Sequence, residues 1–530
     1  MAPDRGDRSR FDSRSGHNAV NRRVPDRGAP ALRKGDLLAS VDLGSNSFRL
    51  LVARWEGGEL RPVDRLREVI RLAAGLGPDG GLDAKKRKEA LDCLARFGQR
   101  LSSVPACRVR AVATNTVRQM RAPLRFLKAA EHALGHVIEV VSGREEGRLI
   151  WLGVTHALPR SDQRRLVIDI GGGSTEIIMG QGFEPELTES VQAGCVASSL
   201  RFFPNGRITA KRWQRAREEL GVLMQQFAAE YRERRWSEAW GTSGTMQAIA
   251  SIAAGMGDPA NSITRKSLGR MRDALLRAGS ARAVVLPGLA GDRRPSIAAG
   301  IAIAEVLFDA LGLDQIGVSE GALREGLLWD MIGRASGHDP RVASLGGLAR
   351  RCGIDAAQAQ RVEARALALF DKVASDWRLD GRTRGWLAWS ARVHELGMSI
   401  SHSHHQRHAS YILLHSDLAG FSTLDQQVLA TIVRNHRRKP APELLEALPA
   451  RMRVPVARVT CLLRLAVLLC RTREEPGASP LRVFVRGKGI HVCIPVSWRR
   501  SRPLTVADLR TEKNMLQGLG VRLELDFARR

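Results

Sequence analysis

The chain has 530 residues, 44% of them hydrophobic, and a formal net charge of +28. So strong a positive charge predicts a polyanionic partner, and nucleic acid, an anionic membrane surface and a polyphosphate chain all fit. Only 5% of the residues are aromatic and two are Tyr, so a single-strand nucleic-acid binder with stacking platforms is disfavoured. The seven cysteines are scattered without a CxxC pair, which favours reduced thiols over a disulfide framework.

Residues 1–35 are rich in Arg, Asp, Ser and Gly and lack an apolar segment. This composition excludes a secretory signal, and we expect a disordered basic tail. No uncharged apolar run approaches the roughly 18 residues that cross a bilayer. The most apolar candidate, Cys461–Cys470, contains Arg464 and is expected to be a core helix.

Residues 36–147 show alternating strand and helix patterns. The first strand ends in Asp42, and Gly44, Ser45 and Asn46 follow it directly. Strands are predicted at Leu37–Val41, Phe48–Arg54, Val109–Ala113 and Val137–Val141, with helices at Asp83–Leu101 and Pro123–Leu134.

The same pattern restarts within residues 148–335. A predicted strand, Arg165–Ile170, ends in Asp169-Ile170-Gly171-Gly172-Gly173-Ser174, and a second strand follows at Glu176–Met179. Further elements are expected at Ala210–Arg234 (helix), Glu238–Trp240 (strand) and Ile297–Leu311 (helix). Two halves that each open with a strand, an Asp-x-Gly turn and a second strand indicate duplicated α/β domains.

The pattern becomes almost wholly helical in residues 336–475, and residues 476–530 alternate apolar and polar positions as a small α+β domain does. Helices are predicted at Ala356–Val373, Gly385–Leu396, Ala409–His415, Leu424–Asn435 and Val454–Cys470, and strands at Leu481–Val485 and Ile490–Ile494.

Glycine-rich turns after a strand let backbone N–H groups approach a phosphate closely. A carboxylate at the strand end, such as Asp42 or Asp169, can hold a Mg²⁺ ion that bridges phosphate oxygens. A tight hairpin also needs glycine, so one such turn is weak evidence, whereas one in each half predicts a cleft between facing domains. Gly244 lies in a third turn between strand and helix, which either binds phosphate or only caps the helix.

Several charged residues near these turns are candidates for catalysis. Glu145 and Glu146 open a helix after Ser142, where Ser142 with Glu145 fits a purely structural capping box. A carboxylate beside a phosphate site can instead orient and deprotonate water. Glu176 is a further acid after the second turn. Arg118 follows another strand end and suits bidentate phosphate binding, although a lone Arg is more often a surface residue.

Six ordered motifs resemble the exopolyphosphatase/guanosine-pentaphosphatase family, from about Leu37 to near the C-terminus. They are Asp42-Leu43-Gly44-Ser45-Asn46-Ser47, Ala113-Thr114-Asn115-Thr116-Val117-Arg118, Ser142-Gly143-Arg144-Glu145-Glu146, Asp169-Ile170-Gly171-Gly172-Gly173-Ser174-Thr175-Glu176, Gly241-Thr242-Ser243-Gly244-Thr245 and Ala322-Leu323-Arg324-Glu325-Gly326.

The resemblance implies two actin-like ATPase (ribonuclease H-like) domains with the catalytic cleft between them, then a helical HD-like domain and the small α+β domain. It implies that Glu146 activates water, and that Glu176 serves both catalysis and, with Asp42 and Asp169, the binding of Mg²⁺. The spacing from this acidic pair to the Asp169 turn looks one residue longer than in the family, so Glu145 stays an alternative. The phosphate-binding residues implied are Gly44, Ser45, Asn46, Arg118, Gly171, Gly172, Gly173, Ser174 and Gly244.

A histidine cluster in the helical region also resembles the family's long form. A working HD metal site uses an adjacent His-Asp pair, whereas this chain has His394-Glu395. A structural role, or a cationic surface extending to Arg434–Lys439, is therefore favoured over a metal site. The other histidines of the cluster are His402, His404, His405 and His408.

The expected function is exopolyphosphatase, the processive, Mg²⁺-dependent removal of terminal orthophosphate from inorganic polyphosphate. A guanosine-pentaphosphate 5′-phosphohydrolase is the alternative substrate assignment, and a non-catalytic polyanion-binding protein is the alternative of another class. An actin-like ATP-dependent kinase would need an adenosine pocket, of which the sequence shows no sign. We expect a bacterial, cytoplasmic homodimer without specific nucleic-acid binding, with peripheral contact to an anionic inner membrane left open.

Overall fold

The computed structural model describes residues 31–473, 481–487 and 489–527. The strands are β1 Leu37–Leu43, β2 Ser47–Trp55, β3 Leu60–Val69, β4 Val109–Ala113, β5 Ile138–Val140, β6 Arg165–Ile170, β7 Thr175–Gln181, β8 Glu184–Val191, β9 Glu238–Thr242, β10 Ser262–Thr264, β11 Gln315–Val318, β12 Arg482–Arg486, β13 Gly489–Ile494 and β14 Arg522–Phe527.

The helices of the N-terminal half are α1 Ala84–Leu101, α2 Asn115–Arg118, α3 Pro123–Leu134, α4 Gly143–Ala157, α5 Cys195–Phe202, α6 Ala210–Arg234, α7 Ser243–Gly255, α8 Arg265–Ala278, α9 Arg294–Leu311 and α10 Leu323–Ala335. Those of the C-terminal half are α11 Pro340–Arg351, α12 Ala356–Val373, α13 Gly381–Val393, α14 His405–His415, α15 Thr423–Asn435, α16 Pro442–Glu446, α17 Ala450–Leu469, α18 Val496–Ser501 and α19 Pro503–Gln517.

Local sequence explains where these elements begin and what they bury. In α1 the Asp83 side chain accepts a hydrogen bond from the Lys86 N–H at 2.9 Å and caps the helix. The buried residues of α1 recur at helical spacing and face the first sheet: Ala90, Cys93, Leu94, Phe97 and Leu101. The predicted strands and helices listed by sequence are thus confirmed as elements, with ends shifted by a few residues.

Two edge strands, β3 and β8, were not predicted. Their sequences, LRPVDRLREV and EPELTESV, are mostly polar, and their residues are exposed or half-buried. Because neither face of these strands is fully buried, burial does not impose the apolar alternation by which strands are predicted.

The two large sheets repeat one topology. The first has strand order β3-β2-β1-β4-β5 and the second β10-β11-β9-β6-β7-β8. In each, two antiparallel hairpin strands follow the opening strand, and parallel strands lie on its other side, where the short edge strand β10 of the second sheet is the antiparallel exception. The structure therefore confirms the internal repeat: β1, β2, β3 and β4 correspond to β6, β7, β8 and β9.

Two helices join the halves rather than belonging to one. The predicted boundary between residues 147 and 148 falls inside α4, and Gly153 of α4 packs against the backbone of α10 at Gly326. Leu328 and Ile332 of α10 return to the first sheet and pack on Leu38 and Leu51. The helix pair α4 and α10 therefore lies between the two sheets and joins them.

The C-terminal half forms one continuous core. Helices α11 to α17 bury a cluster that includes Trp377, Trp386 and Phe421, and the same cluster extends into the three-stranded sheet β12-β13-β14 through Ile490 and Leu523. This matches the expected helical region followed by a small α+β unit. The limit at 475/476 and most of the predicted tail lie outside the described residues.

No helix in the described part of the chain is long and apolar enough to cross a membrane. Cys461–Cys470 falls almost wholly within α17, where the buried Arg464 lies among core residues, as the sequence predicts. All seven cysteines are free thiols.

Candidate active site

The repeat places two acidic residues at equivalent strand ends. Asp42 in β1 lies opposite Arg49 in β2, and Asp169 in β6 lies opposite Glu176 in β7. Directly opposite residues on adjacent strands project from the same face of a sheet. Each half therefore presents one strand-end aspartate with one charged neighbour, a cation in the first half and an acid in the second.

The glycine turns after β1 and β6 touch each other. A Cβ added to Gly172 would lie 2.9 Å from the Asn46 nitrogen, and one added to Gly173 would lie 2.8 Å from the Ser45 Oγ. The Ser45 hydroxyl also accepts a hydrogen bond from Thr116 at 2.7 Å. Glycine is required here because any side chain would push the two loops apart.

Backbone donors remain available in the second turn. The carbonyls of Gly171 and Gly172 accept hydrogen bonds from the first N–H groups of α5. The N–H groups of Gly172, Gly173 and Ser174 have no acceptor among residues that the structure describes. Such a row of free donors forms a concave site for phosphate oxygens.

Four carboxyl groups lie in the cleft or directly behind its lining, and their environment opposes full ionisation. Burial raises the pKa of Asp42 to about 6. Burial, with the neighbouring charge of Glu146, raises the pKa of Asp169 to about 7. Burial and the same Glu146 charge raise the pKa of Glu176 well above its ordinary value. A group of acids held so close favours the binding of a cation.

Glu146 faces this cleft from the first turn of α4. Its Oε2 accepts a hydrogen bond from Arg118 at 3.0 Å, and Arg118 also donates to the Val141 carbonyl at 2.7 Å. Burial raises the pKa of Glu146, although the Arg118 charge opposes that shift. A buried carboxylate with one partner and a raised pKa is suited to accept a proton from water.

Glu145 points the other way. It forms two hydrogen bonds with Arg148, at 2.8 and 2.9 Å, and accepts one from the Gly420 N–H at 2.9 Å. Ser142 does accept from the Glu145 N–H, as the capping box predicts, but the Glu145 carboxylate does not close the box. The structure therefore places Glu145 in the contact with the helical half and only Glu146 in the cleft.

Two arginines that the sequence analysis did not single out complete the cleft. A Cβ added to Gly244 would lie 2.0 Å from Arg293 Nη2 and 2.7 Å from Arg49 Nη2, so both guanidinium groups converge over this turn. Neither forms an ion pair with a carboxylate in residues 31–473, 481–487 and 489–527. Unpaired buried guanidinium groups beside free N–H donors are suited to hold phosphate.

The donor set also fits Mg²⁺. Asp42 Oδ1 is buried without a hydrogen-bond partner, and hard carboxylate oxygens are the ligands that Mg²⁺ prefers. Within the described ranges, no group of three or more His, Cys, Asp or Glu side chains is arranged to hold a metal ion. Mg²⁺ is commonly held by one or two carboxylates together with substrate phosphates, and Asp42 and Asp169 fit that pattern.

Most of the predicted site residues line one cleft with a free volume of about 90 Å³. Arg118 and Glu176 lie behind its lining. Arg118 reaches the cleft through its hydrogen bond to Glu146, whereas Glu176 lies directly opposite the lining residue Asp169 and accepts a hydrogen bond from Ser190 at 2.9 Å. The predicted residues in the lining are Asp42, Gly44, Ser45, Asn46, Glu146, Asp169, Gly171, Gly172, Gly173, Ser174 and Gly244.

Two family models match the chain. That of the Ppx/GppA phosphatase family matches residues 51–335, and that of domain III of the Ppx/GppA phosphatases matches residues 341–513. Together they span the chain from within β2 through most of the C-terminal half, and β1 lies before the first match.

Solved structures share the fold of the N-terminal half. An exopolyphosphatase from Cytophaga hutchinsonii is 24% identical, with 56% of this chain and 98% of that chain covered and a TM-score of 0.51. An exopolyphosphatase-like protein is 23% identical, with 56% of this chain and 98% of that chain covered and a TM-score of 0.51. A Ppx/GppA enzyme from Aquifex aeolicus is 26% identical over 55% of this chain and 98% of that chain, with a TM-score of 0.47. The predicted actin-like fold is confirmed, and the HD-like character of the helical half stays a prediction.

Proposed function

The chain belongs to the Ppx/GppA phosphatase family, and from this premise we propose that it is an exopolyphosphatase. The reaction is hydrolysis of the terminal phosphoanhydride bond of inorganic polyphosphate, which releases orthophosphate. The observation that carries the proposal is the placement of Glu146 opposite a phosphate cradle made by two glycine turns and two unpaired arginines.

The residues of the cleft have separate roles in phosphoanhydride cleavage. Arg49, Arg293 and the free N–H groups after Gly171 bind the terminal phosphate and neutralise the charge of its equatorial oxygens. The Glu146 carboxylate orients a water in line with the scissile bond and accepts its proton. Arg118 holds that carboxylate through its hydrogen bond and keeps it pointed at the cleft.

Asp42 and Asp169 would hold a Mg²⁺ ion, which would supply neutralisation of substrate phosphate charge. Glu176 in β7 lies directly opposite Asp169 in β6, on the same face of the sheet. Ser190 donates a hydrogen bond to its carboxylate and holds it in place. Dependence on Mg²⁺ is thus part of the proposal.

The substrate proposal rests on charge outside the cleft. A net charge of +28 is far more than a nucleotide confined to the cleft requires. Exposed cations such as Arg350, Arg351 and Arg378 lie on the helical half, where they favour a long polyanion. A chain held at a second surface keeps its end near the cleft at high effective concentration, which favours processive hydrolysis.

The test compares tripolyphosphate, long-chain polyphosphate and guanosine pentaphosphate as substrates of the full chain across a salt series. We expect the KM for the long chain to be at least about tenfold lower than for tripolyphosphate at low salt, and to rise steeply with salt as counterion release predicts. A KM that ignores chain length and salt, with fastest turnover of pentaphosphate, would reject polyphosphate in favour of the nucleotide. Absence of phosphate release from all three would leave only a polyanion-binding role.

We also propose a cytoplasmic homodimer. Seven free cysteines support a reducing compartment. Size-exclusion chromatography with light scattering checks the dimer, and a monomer at micromolar concentration would contradict it.

A further inference from the structure

A second cavity, of about 510 Å³, lies where the helical bundle meets α19 of the C-terminal unit. It is distant in sequence from every residue of the cleft. Its lining combines buried imidazoles, arginines and a short apolar floor. The imidazoles are those of His394, His405 and His436, the arginines include Arg437 and Arg438, and the floor is formed by Met398, Val467, Leu468 and Met515.

The imidazoles present hydrogen-bond acceptors to this cavity. His394 Nδ1 lies 2.7 Å from the Ala391 carbonyl and His436 Nδ1 lies 2.6 Å from the Val433 carbonyl. Each Nδ1 therefore carries the proton and donates, which leaves Nε2 with a free lone pair. His436 is 2% exposed, and its Nε2 has no partner.

The arginines divide into paired and unpaired groups. Arg473 bonds Glu395 at 2.6 Å, and Arg464 and Arg471 form ion pairs with Glu512 and Asp508. In contrast, Arg437 and Arg438 form no ion pair with a carboxylate within the described residues. The cavity thus holds two positive charges that no neighbouring acid neutralises.

The backbone brings these two cations to the cavity under strain. Arg438 adopts a φ of 61°, in the left-handed region that a non-glycine residue rarely occupies. Such strain is retained at ligand-binding sites when surrounding structure holds it in place. Arg464 supplies that support, because it donates to the carbonyls of Asn435 and Arg438 on either side of the segment.

A metal ion does not fit this cavity. The Arg437 guanidinium donates to His405 Nε2 and so occupies a lone pair that a metal would need. No three His, Cys, Asp or Glu side chains of the described chain are arranged around a metal position here. A ligand with negative charge and hydrogen-bond donors fits instead.

We propose that this cavity binds a small phosphorylated ligand of the nucleotide class, separately from the cleft. Phosphate oxygens contact Arg437 and Arg438, and a hydroxyl or amine of the ligand donates to His436 Nε2. The apolar floor accepts the base. A volume of about 510 Å³ lies within the range of roughly 300–1,000 Å³ typical of small-molecule sites.

The test measures binding rather than turnover, so its outcome does not depend on the proposed phosphatase activity. The β,γ-methylene analogues of ATP and GTP, which resist hydrolysis, are titrated into the full chain by calorimetry. The double variant Arg437→Gln/Arg438→Gln should bind one equivalent fewer than the parent, or bind at this site at least about tenfold more weakly. Thr511→Trp, which fills the mouth of the cavity from exposed α19, should have the same effect.

The matched control is Arg407→Gln/Lys439→Gln, which removes the same charge from exposed positions outside the cavity. It should leave stoichiometry and affinity as in the parent. Equal losses in control and cavity variants would reveal diffuse charge attraction and overturn the site. Methylenediphosphonate, which carries phosphate-like groups but no base, should bind at least about tenfold more weakly than the nucleotide analogues, and equal affinity would refute the nucleotide class.

Discussion

The cleft and the second cavity differ in the kind of ionisable side chains that they gather. The cleft has a free volume of about 90 Å³ and gathers carboxyl groups, whereas the cavity has about 510 Å³ and gathers imidazoles and arginines. Burial raises the pKa of Asp169 to about 7 in the first. In the second, burial lowers the pKa of His394 to about 4, and burial with the nearby Arg437 charge does the same for His405.

The difference shows what each region needs from its ligand. In the proposed function, a cation would relieve the repulsion between the acids of the narrow cleft, and the free arginines and N–H groups beside them would bind phosphate. Neutral imidazoles in a wide cavity accept hydrogen bonds while the unpaired arginines bind the anion. The first arrangement is built for a reaction and the second for binding, and the following predictions test that division.

The largest effect is expected in the cleft. Glu146→Gln keeps the shape of the side chain but removes the proton acceptor, so kcat for phosphate release should fall by roughly 10²–10⁴. Binding of the nucleotide analogues in the second cavity should not change. Phosphate release and calorimetry on one preparation measure both.

The adjacent residue is the matched control. Glu145→Gln should lower the free energy of unfolding by about 1–3 kcal/mol, because Arg148 loses a charged partner, while kcat falls less than about tenfold. A dead Glu145→Gln beside an active Glu146→Gln would move the role of base by one residue and contradict the geometry of α4.

The next effect concerns the contact between the N-terminal half and the helical half of the chain. Asp330 in α10 is 3% exposed and bonds Arg148 and Arg334 at 2.6 Å, as well as Arg110. Arg334 continues to the Gly420 carbonyl of the helical half at 3.0 Å. Asp330→Asn should reduce the free energy of unfolding by about 3–5 kcal/mol, because it leaves buried guanidinium groups unpaired. Denaturant titration at pH 7 gives the value.

The stabilisation that is lost in Asp330→Asn depends on pH. Burial alone would raise the pKa of Asp330, but the charges of Arg334, Arg148 and Arg110 together hold it below its ordinary value. The stabilisation is therefore complete above about pH 4, where an unfolded Asp is ionised, and shrinks as the pH falls further. Asp309→Asn, at a side chain 43% exposed, should cost less than about 1 kcal/mol at any pH.

A smaller effect tests the proposed cation. Asp169→Asn removes a charged oxygen ligand, so the Mg²⁺ concentration for half-maximal rate should rise about tenfold or more. EDTA should abolish phosphate release by the parent and leave nucleotide binding in the second cavity intact. Full activity in EDTA would refute the metal requirement.

The smallest expected effect concerns the contact between the two turns. Gly172→Ala would place a Cβ 2.9 Å from the Asn46 nitrogen, so the loops must separate and kcat/KM should fall several-fold. Gly221→Ala in α6 meets no atom within 4 Å and should instead stabilise the protein by about 0.5–1 kcal/mol. Equal kinetics in both variants would show that the loop contact does not matter for catalysis.

The sequence predicted those parts of the site that follow from local pattern. Asp42 and Asp169 were found because each ends an apolar strand before a glycine turn, and the repeat in the sheets places them equivalently. Arg49 was missed although it occupies in β2 the position that Glu176 occupies in β7, at the same distance along the chain from the strand-end aspartate. Aligning the two halves residue by residue would have found it.

Other residues could not be found from local pattern. Arg293 directly precedes α9 and reaches Gly244 only in the folded chain, and no spacing in the sequence records that approach. Glu145 and Glu146 are alike in sequence. Their roles separate because Gly420, far along the chain, donates to one while Arg118 donates to the other. Of the histidine cluster, only His394 and His405 line the second cavity, together with His436 and residues of α19, and His402, His404 and His408 are not in its lining.

Attack by a Glu146-activated water in the cleft is tested most directly by a rapid acid quench experiment. The substrate is tripolyphosphate labelled with ³²P in its terminal phosphates. Direct attack predicts that labelled orthophosphate appears in the first turnover while no label is bound to the protein at any time. It also predicts that Glu146→Gln lowers the rate of that first turnover by the same roughly 10²–10⁴ as kcat. A burst of protein-bound label approaching one per chain, or an unchanged first turnover in Glu146→Gln, would contradict the account.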